Sequence, residues 1–196
     1  ILIISLIDLF VNKRYNLLKQ ERVIFLRTVK ALNDFWRFTK LPAGMNISKG
    51  DVISPEYEDA SWQSVILPHT YNSEDGAGRM TAADGGNYYR GTVCYRRNLA
   101  LSSEECSGKE LYLEFEGANT VAEVYINGRF AGEHSGGYSA FRFDITDYIY
   151  PDKDNLIAVI VSNAPTDHIA PITDNGDFTK MGGLYRGVKL ITVESV

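Results

Sequence analysis

The chain has 196 residues, 44% hydrophobic and 23% charged, which excludes a disordered or low-complexity chain and is long enough to bury a core without metals or disulfides. A formal net charge of −5 excludes bulk electrostatic attraction to nucleic acid. The charge is uneven: residues 1–50 carry nine Lys/Arg against three Asp/Glu, and residues 51–196 carry eleven against twenty-two.

The basic start reads as a solvated helix or tail, with contact to an anionic surface as the alternative. Ile1 to Val11 is apolar apart from Ser5 and Asp8, too short to span a bilayer, so no membrane partner is expected. Lys13 and Arg14 follow this run, whereas the basic residues of a signal peptide precede it. The spacing of Leu2, Leu6, Leu9 and Phe10 predicts a short helix within residues 1–20, an N-terminal extension packing on the domain or on a neighbour. A clipped signal or anchor remnant is the other reading of it.

Residues 21–196 read as one β domain. Arg22–Leu26 and Phe35–Phe38 are β-prone, and Pro42, Gly44, Gly50 and Pro55 break the chain into loops. Leu111, Leu113 and Phe115 alternate with Tyr112, Glu114 and Glu116, and Ala122, Val124 and Ile126 alternate with Glu123, Tyr125 and Asn127. Each run predicts a strand with one apolar and one polar face. Asn127-Gly128 between them and Arg129–Gly132 predicts a type I′ hairpin, because both central residues of that turn need φ > 0. Tyr138–Asp144 alternates again, Leu156–Val161 is continuously apolar and so predicts a central strand covered on both faces, and Leu184–Val193 closes the domain. Short strands without intervening helices mean an all-β antiparallel sandwich, and the pattern alone does not separate a jelly roll from an immunoglobulin-like sandwich. Long loops at 70–88 and 163–182 favour the jelly roll. Cys94 in a strand and Cys106 in a polar loop make neither a disulfide framework nor a zinc site, and they lean toward a cytoplasmic rather than a periplasmic compartment.

No GxSxG, P-loop or HExxH motif is present. Glu114 and Glu116 would lie about 7 Å apart on one strand face, near the separation of a glycosidase carboxylate pair. A solvated strand face has nothing to raise one pKa, so they read as structural. His69 reads as a turn anchor, His134 as a hairpin residue, and His168 with Asp167 as a loop pair. The loops Asp84-Gly85-Gly86-Asn87-Tyr88-Tyr89-Arg90-Gly91 and Asp174-Asn175-Gly176-Asp177-Phe178 combine carboxylates, amides and rings. That chemistry suits sugars, whose hydroxyls pair with Asp and Asn and whose C–H faces stack on aromatic rings.

Six stretches then stand in a suggestive order. They are Trp62-Gln63-Ser64-Val65-Ile66-Leu67-Pro68-His69, Gly91-Thr92-Val93-Cys94-Tyr95-Arg96-Arg97, Phe115-Glu116-Gly117-Ala118, Val124-Tyr125-Ile126-Asn127-Gly128, Gly137-Tyr138-Ser139-Ala140-Phe141-Arg142-Phe143-Asp144-Ile145-Thr146 and Gly182-Gly183-Leu184-Tyr185-Arg186-Gly187-Val188. In sequence and spacing this set resembles the N-terminal sugar-binding domain of glycoside hydrolase family 2, most of all its β-galactosidase branch, over about residues 30–195.

The resemblance implies a jelly-roll β-sandwich of the galactose-binding-domain kind, followed in the family by an immunoglobulin-like domain and a barrel with two catalytic glutamates. It implies that this chain holds no catalytic residue, is inactive alone, and lends loop residues to a pocket of a retaining β-glycosidase. Its partners are then a β-linked sugar and other domains of the same polypeptide, and a domain parted from its neighbours is expected to self-associate as a homo-oligomer. In the family an Asp shortly before the Gly-Leu-Tyr-Arg segment contacts the sugar and a bound sodium ion, and Asp177 holds that place. An Asn before the strand start also contacts the sugar; Asn87 is the match, with Asp84 the second choice. Arg186 is implied to be structural, pairing inside the fold. This chain needs no cofactor, while the full-length enzyme would use Na or Mg, with further ligands from the barrel. The alternatives are a stand-alone carbohydrate-binding module and a structural or assembly domain.

Overall fold

The computed structural model describes residues 27–41, 48–73, 89–164, 169 and 181–195. The expected helix within residues 1–20 lies outside them.

Among the described residues ten strands form two antiparallel sheets. In chain order they are β1 (Arg27–Ala31), β2 (Trp36–Leu41), β3 (Gln63–Val65), β4 (Thr92–Ala100), β5 (Lys109–Phe115), β6 (Val121–Ile126), β7 (Arg129–Ser135), β8 (Phe141–Asp144), β9 (Asp154–Ser162) and β10 (Val188–Glu194). One sheet runs β1-β10-β5-β8 and the other β3-β2-β4-β9-β6-β7. The alternating faces do what their pattern demands. Leu111, Leu113 and Phe115 of β5 meet Ala122, Val124 and Ile126 of β6, Val93 and Tyr95 of β4, and Trp36 and Phe38 of β2 between the sheets.

The continuous run of β9 lies between β4 and β6. Ile157, Val159 and Val161 enter the inter-sheet core, while Leu156, Ala158 and Ile160 face the other way and meet Val52, Trp62, Cys94 and Tyr125. Residues 48–62 therefore roof the outer face of the larger sheet. This roof begins with α1 (Lys49–Val52), and a second one-turn helix, α2 (Ser103–Cys106), links β4 to β5. Each starts in a capping box, Ser48 with Asp51 and Ser102 with Glu105. The sequence pattern placed no helix between strands, because one turn is too short to show a 3.6-residue period.

The Asn-Gly hairpin is present: Asn127 and Gly128 have φ of 53° and 77° and join β6 to β7. β7 runs on to Ser135, beyond the predicted Gly132, and β8 begins at Phe141 rather than Tyr138. The final strand begins at Val188 rather than Leu184, since Gly183 is engaged in a separate bridge to Asn119. Cys106 ends α2 instead of lying in a loop, and both cysteines are free. Burial pushes the Cys94 thiol up, so it stays protonated and apolar. No helix among the described residues is long and apolar enough to cross a membrane.

Glu114 and Glu116 differ from the expected open strand face. Glu114 is only 17% exposed and pairs with Arg142 at 3.1 Å. Glu116 lies past the end of β5, bonds Lys189, and accepts the Gly187 N–H at 3.1 Å. These contacts, Lys189 first, hold its carboxyl below the ordinary 4.5. The stabilisation is then full above that value and is lost as pH falls through the folded one. Glu116→Gln is expected to lower stability at pH 7 by under about 1 kcal/mol, as befits an exposed pair. The difference from wild type should close in acid. Urea midpoints at pH 7 and pH 3 check it, and a gap of equal size at both would refute the assignment.

Candidate functional site

Strand register decides where the loops leave the sandwich. Thr92 of β4 and Val121 of β6 both pair with Ser162 of β9, so Tyr89–Gly91, Asn119-Thr120 and Asn163-Ala164 emerge at one end of the larger sheet. The Asn119–Gly183 bridge adds Met181–Leu184 to the same rim, and the His69 N–H donates to the Leu184 carbonyl at 2.8 Å, adding His69–Ser73. The predicted sugar contacts Asp84, Asn87 and Asp177, and the pair Asp167-His168, lie outside the described residues. The roots of the chain segments that bear them are what the structure places, and it places them side by side.

Three buried amides tie these roots together. Asn163, 1% exposed, accepts the Gly91 N–H at 2.9 Å and donates through Nδ2 to the Tyr89 carbonyl at 3.2 Å and to Asn72 Oδ1 at 3.3 Å. Asn72, 3% exposed, donates to the Tyr89 carbonyl at 2.9 Å and accepts the Gly182 N–H at 2.7 Å. Asn119 donates to the Met181 carbonyl at 2.9 Å. Each amide satisfies backbone groups that no strand ladder reaches, and leaving them unpaired in the interior would cost about 1–3 kcal/mol apiece.

An aromatic wall backs the amides. Phe38 packs edge-on to His69 with ring centres 4.8 Å apart and lies 5.0 Å from Tyr95, and Tyr71 meets Tyr89 edge-on at 5.7 Å. His69 Nδ1 and Tyr95 Oη are 2.9 Å apart. Burial pushes the Tyr95 phenol up against a smaller opposing effect from the Leu184 backbone, so it keeps its proton. His69 is thus the turn anchor its loop suggested, bonded through both ring and backbone.

His134 is the hairpin residue it reads as, paired with Ala122 of β6, whereas the Arg186 expectation resolves differently. His134 sits on β7, where it stacks on Phe141 at 4.2 Å with Nε2 3.1 Å from Ser139 Oγ. Arg186 is structural but exposed: Nη1 donates to the carbonyls of Glu116 at 3.3 Å and Tyr138 at 3.4 Å. The arginine that pairs inside the fold is Arg96, within the Gly91–Arg97 stretch. Its Nε donates to Asp59 at 2.7 Å, and its Nη atoms donate to the carbonyls of Val52, Ser54 and Tyr57 at 2.6, 2.9 and 3.0 Å.

The pattern missed Asn72, Asn119 and Asn163, since a loop asparagine reads as solvated unless the register that buries it is known. A cleft of about 590 Å³ lined by Phe35, Arg37, Ile66 and Arg97 lies away from this rim. Among the described residues no three His, Cys, Asp or Glu side chains gather where they could hold a metal.

The family described as glycosyl hydrolases family 2, sugar binding domain, matches residues 29–194. A β-glucuronidase of Formosa agariphila is 35% identical over 86% of the chain, and a β-galactosidase of Thermoanaerobacter pseudethanolicus is 35% identical over 84%. The crystal structure of Bacteroides uniformis β-glucuronidase superposes with a TM-score of 0.71 at 39% identity, covering 85% of this chain and 18% of that one. The chain spans 17% and 21% of the length of the two curated relatives. With its two antiparallel sheets and a match over nearly its whole β region, the chain belongs to glycoside hydrolase family 2, as its sugar-binding domain.

Proposed function

We propose that this domain serves a β-glycosidase by lending Asp177 and Asn87, with Asp84 the alternative to Asn87, to a sugar pocket that a barrel of the same polypeptide completes. The observation that carries the reading is the amide clamp, which roots both candidate loops on one rim of a rigid sandwich. Loops held at their bases by a packed scaffold are where binding residues work best. Hydrogen bonds from Asp177 position sugar hydroxyls for bond cleavage carried out by residues outside this chain. The β-galactosidase type rests on the place of Asp177 ahead of Met181 to Arg186; relatives named for both galactoside and glucuronide hydrolysis share this domain. A sodium or magnesium ion belongs to this proposal only through Asp177, and no step runs through it.

Asp177→Ala in the full-length protein is expected to lower kcat/KM by about 10- to 100-fold with an unchanged melting temperature. An unchanged kcat/KM would remove the pocket role and favour a purely structural domain. Sugar affinity of this chain alone, measured by titration, would favour the stand-alone module.

A further inference from the structure

We propose that Tyr138 and Arg186 form a carbohydrate platform on the same rim. The Tyr138 ring takes the C–H face of one pyranose unit of an extended β-linked oligosaccharide, and Arg186 donates to that unit's hydroxyls. The inference rests on the pocket reading above and names the contact that selects longer substrates.

Tyr138 is 67% exposed, yet it stands on a turn whose backbone is tied down at three points. The Gly136 N–H donates to the Thr120 carbonyl at 2.9 Å, the Gly137 carbonyl accepts the Tyr185 hydroxyl, and the Tyr138 carbonyl accepts Arg186 Nη1. Gly137 lies so close to Asn119 that a Cβ there would sit 2.5 Å from Oδ1. Asn119 is the residue that holds Met181, so the Tyr138 turn abuts the root of the Asp177 loop. Behind the turn, His134 stacks on Phe141, and Phe141 stacks on core Phe115 at 4.9 Å.

The ring is thus held out by a turn anchored to the core, and its hydroxyl makes no hydrogen bond among the described residues. A bare aromatic on an anchored turn offers its face to a sugar's apolar C–H surface, and no backbone ordering remains to be lost there. Among the described residues both hydrogen bonds of Arg186 leave from Nη1, so its Nε and Nη2 keep donors for hydroxyl oxygens.

The test uses the full-length protein with Tyr138→Ala and Tyr138→Phe. The substrates are methyl β-galactoside and methyl β-glucuronide, set against β-linked di- and tetrasaccharides ending in the same sugars. Tyr138→Ala should raise KM for the oligosaccharides about three- to tenfold, leave the methyl glycosides unchanged, and be largely rescued by Tyr138→Phe. Equal losses on both substrate sizes with a lower melting temperature would make Tyr138 a contact between domains and overturn the proposal. An unchanged oligosaccharide KM would overturn it too. Asp177→Ala, assayed in parallel on the methyl glycosides, reports on the pocket reading alone.

Discussion

Arg96→Met is expected to destabilise the chain by about 3–5 kcal/mol. Arg96 is 3% exposed and sits under the roof segment, with its guanidinium 5.5 Å from the Tyr57 ring and 5.7 Å from the Trp62 ring. Methionine fills the stem's volume but supplies no donors. The Asp59 carboxylate and the carbonyls of Val52, Ser54 and Tyr57 then lose their partner together. Those carbonyls belong to the only cover over Leu156, Ala158 and Ile160 among the described residues, so the roof and the outer face of β9 loosen as a unit. Arg96→Lys keeps the charge but loses the planar fork that reaches four acceptors, and should fall between Met and wild type. Thermal melts with Trp fluorescence read the result. At about 2–4 °C per kcal/mol for a chain of this size, the Met variant should melt roughly 10 °C lower. A loss below about 1 kcal/mol would mean the roof is held by packing alone.

Gly183→Ala is expected to cost about 2–4 kcal/mol and, on the proposed pocket role, to lower kcat/KM of the full-length protein as well. Two causes act at once. Gly183 has φ of 110°, a conformation that L side chains rarely adopt. A Cβ there would also lie 2.5 Å from Tyr95 Oη and 2.8 Å from the His69 carbonyl. Neither neighbour yields cheaply: Tyr95 is fully buried between Phe38 and Trp36, and the His69 carbonyl is backbone. The chain must retreat from the aromatic wall, which breaks the bridge to Asn119 and moves the root of the segment that bears Asp177. Gly50→Ala in α1 is the control, since its nearest contact would be Ser48 Oγ at an ordinary 3.5 Å. Urea denaturation of both variants, with kcat/KM of the full-length protein on a β-glycoside, separates the outcomes. Equal stability of the two variants would refute the steric argument.

Legibility followed periodicity. β5, β6 and β9 were readable because burial on one or two faces leaves a direct imprint of period two or of an unbroken apolar run. The Asn127-Gly128 hairpin was readable because the turn's backbone restricts its residues. The roof was not, although the double-sided burial of β9 demanded some cover. One-turn helices carry no period, and only Ser48 with Asp51 three residues on hints at a start. The rim was half readable: its aromatic and amide composition showed, but which asparagines turn inward depends on strand register that no local pattern encodes. Arg96 and Arg186 make the same point. Both sit in recognisable stretches, and only the fold tells which one is buried.

The amide clamp has an evolutionary reach. Asn72 bonds directly across the ends of the 74–88 segment, and Asn163 and Gly182 meet on Asn72 across the ends of 165–180. Closure of either segment is secured at its base, so added residues bear only the slow logarithmic entropy of a longer loop, about 0.6 kcal/mol per doubling. Insertions and deletions there leave the ten strands untouched. The sandwich thus carries its two longest connections on a base that does not depend on their length.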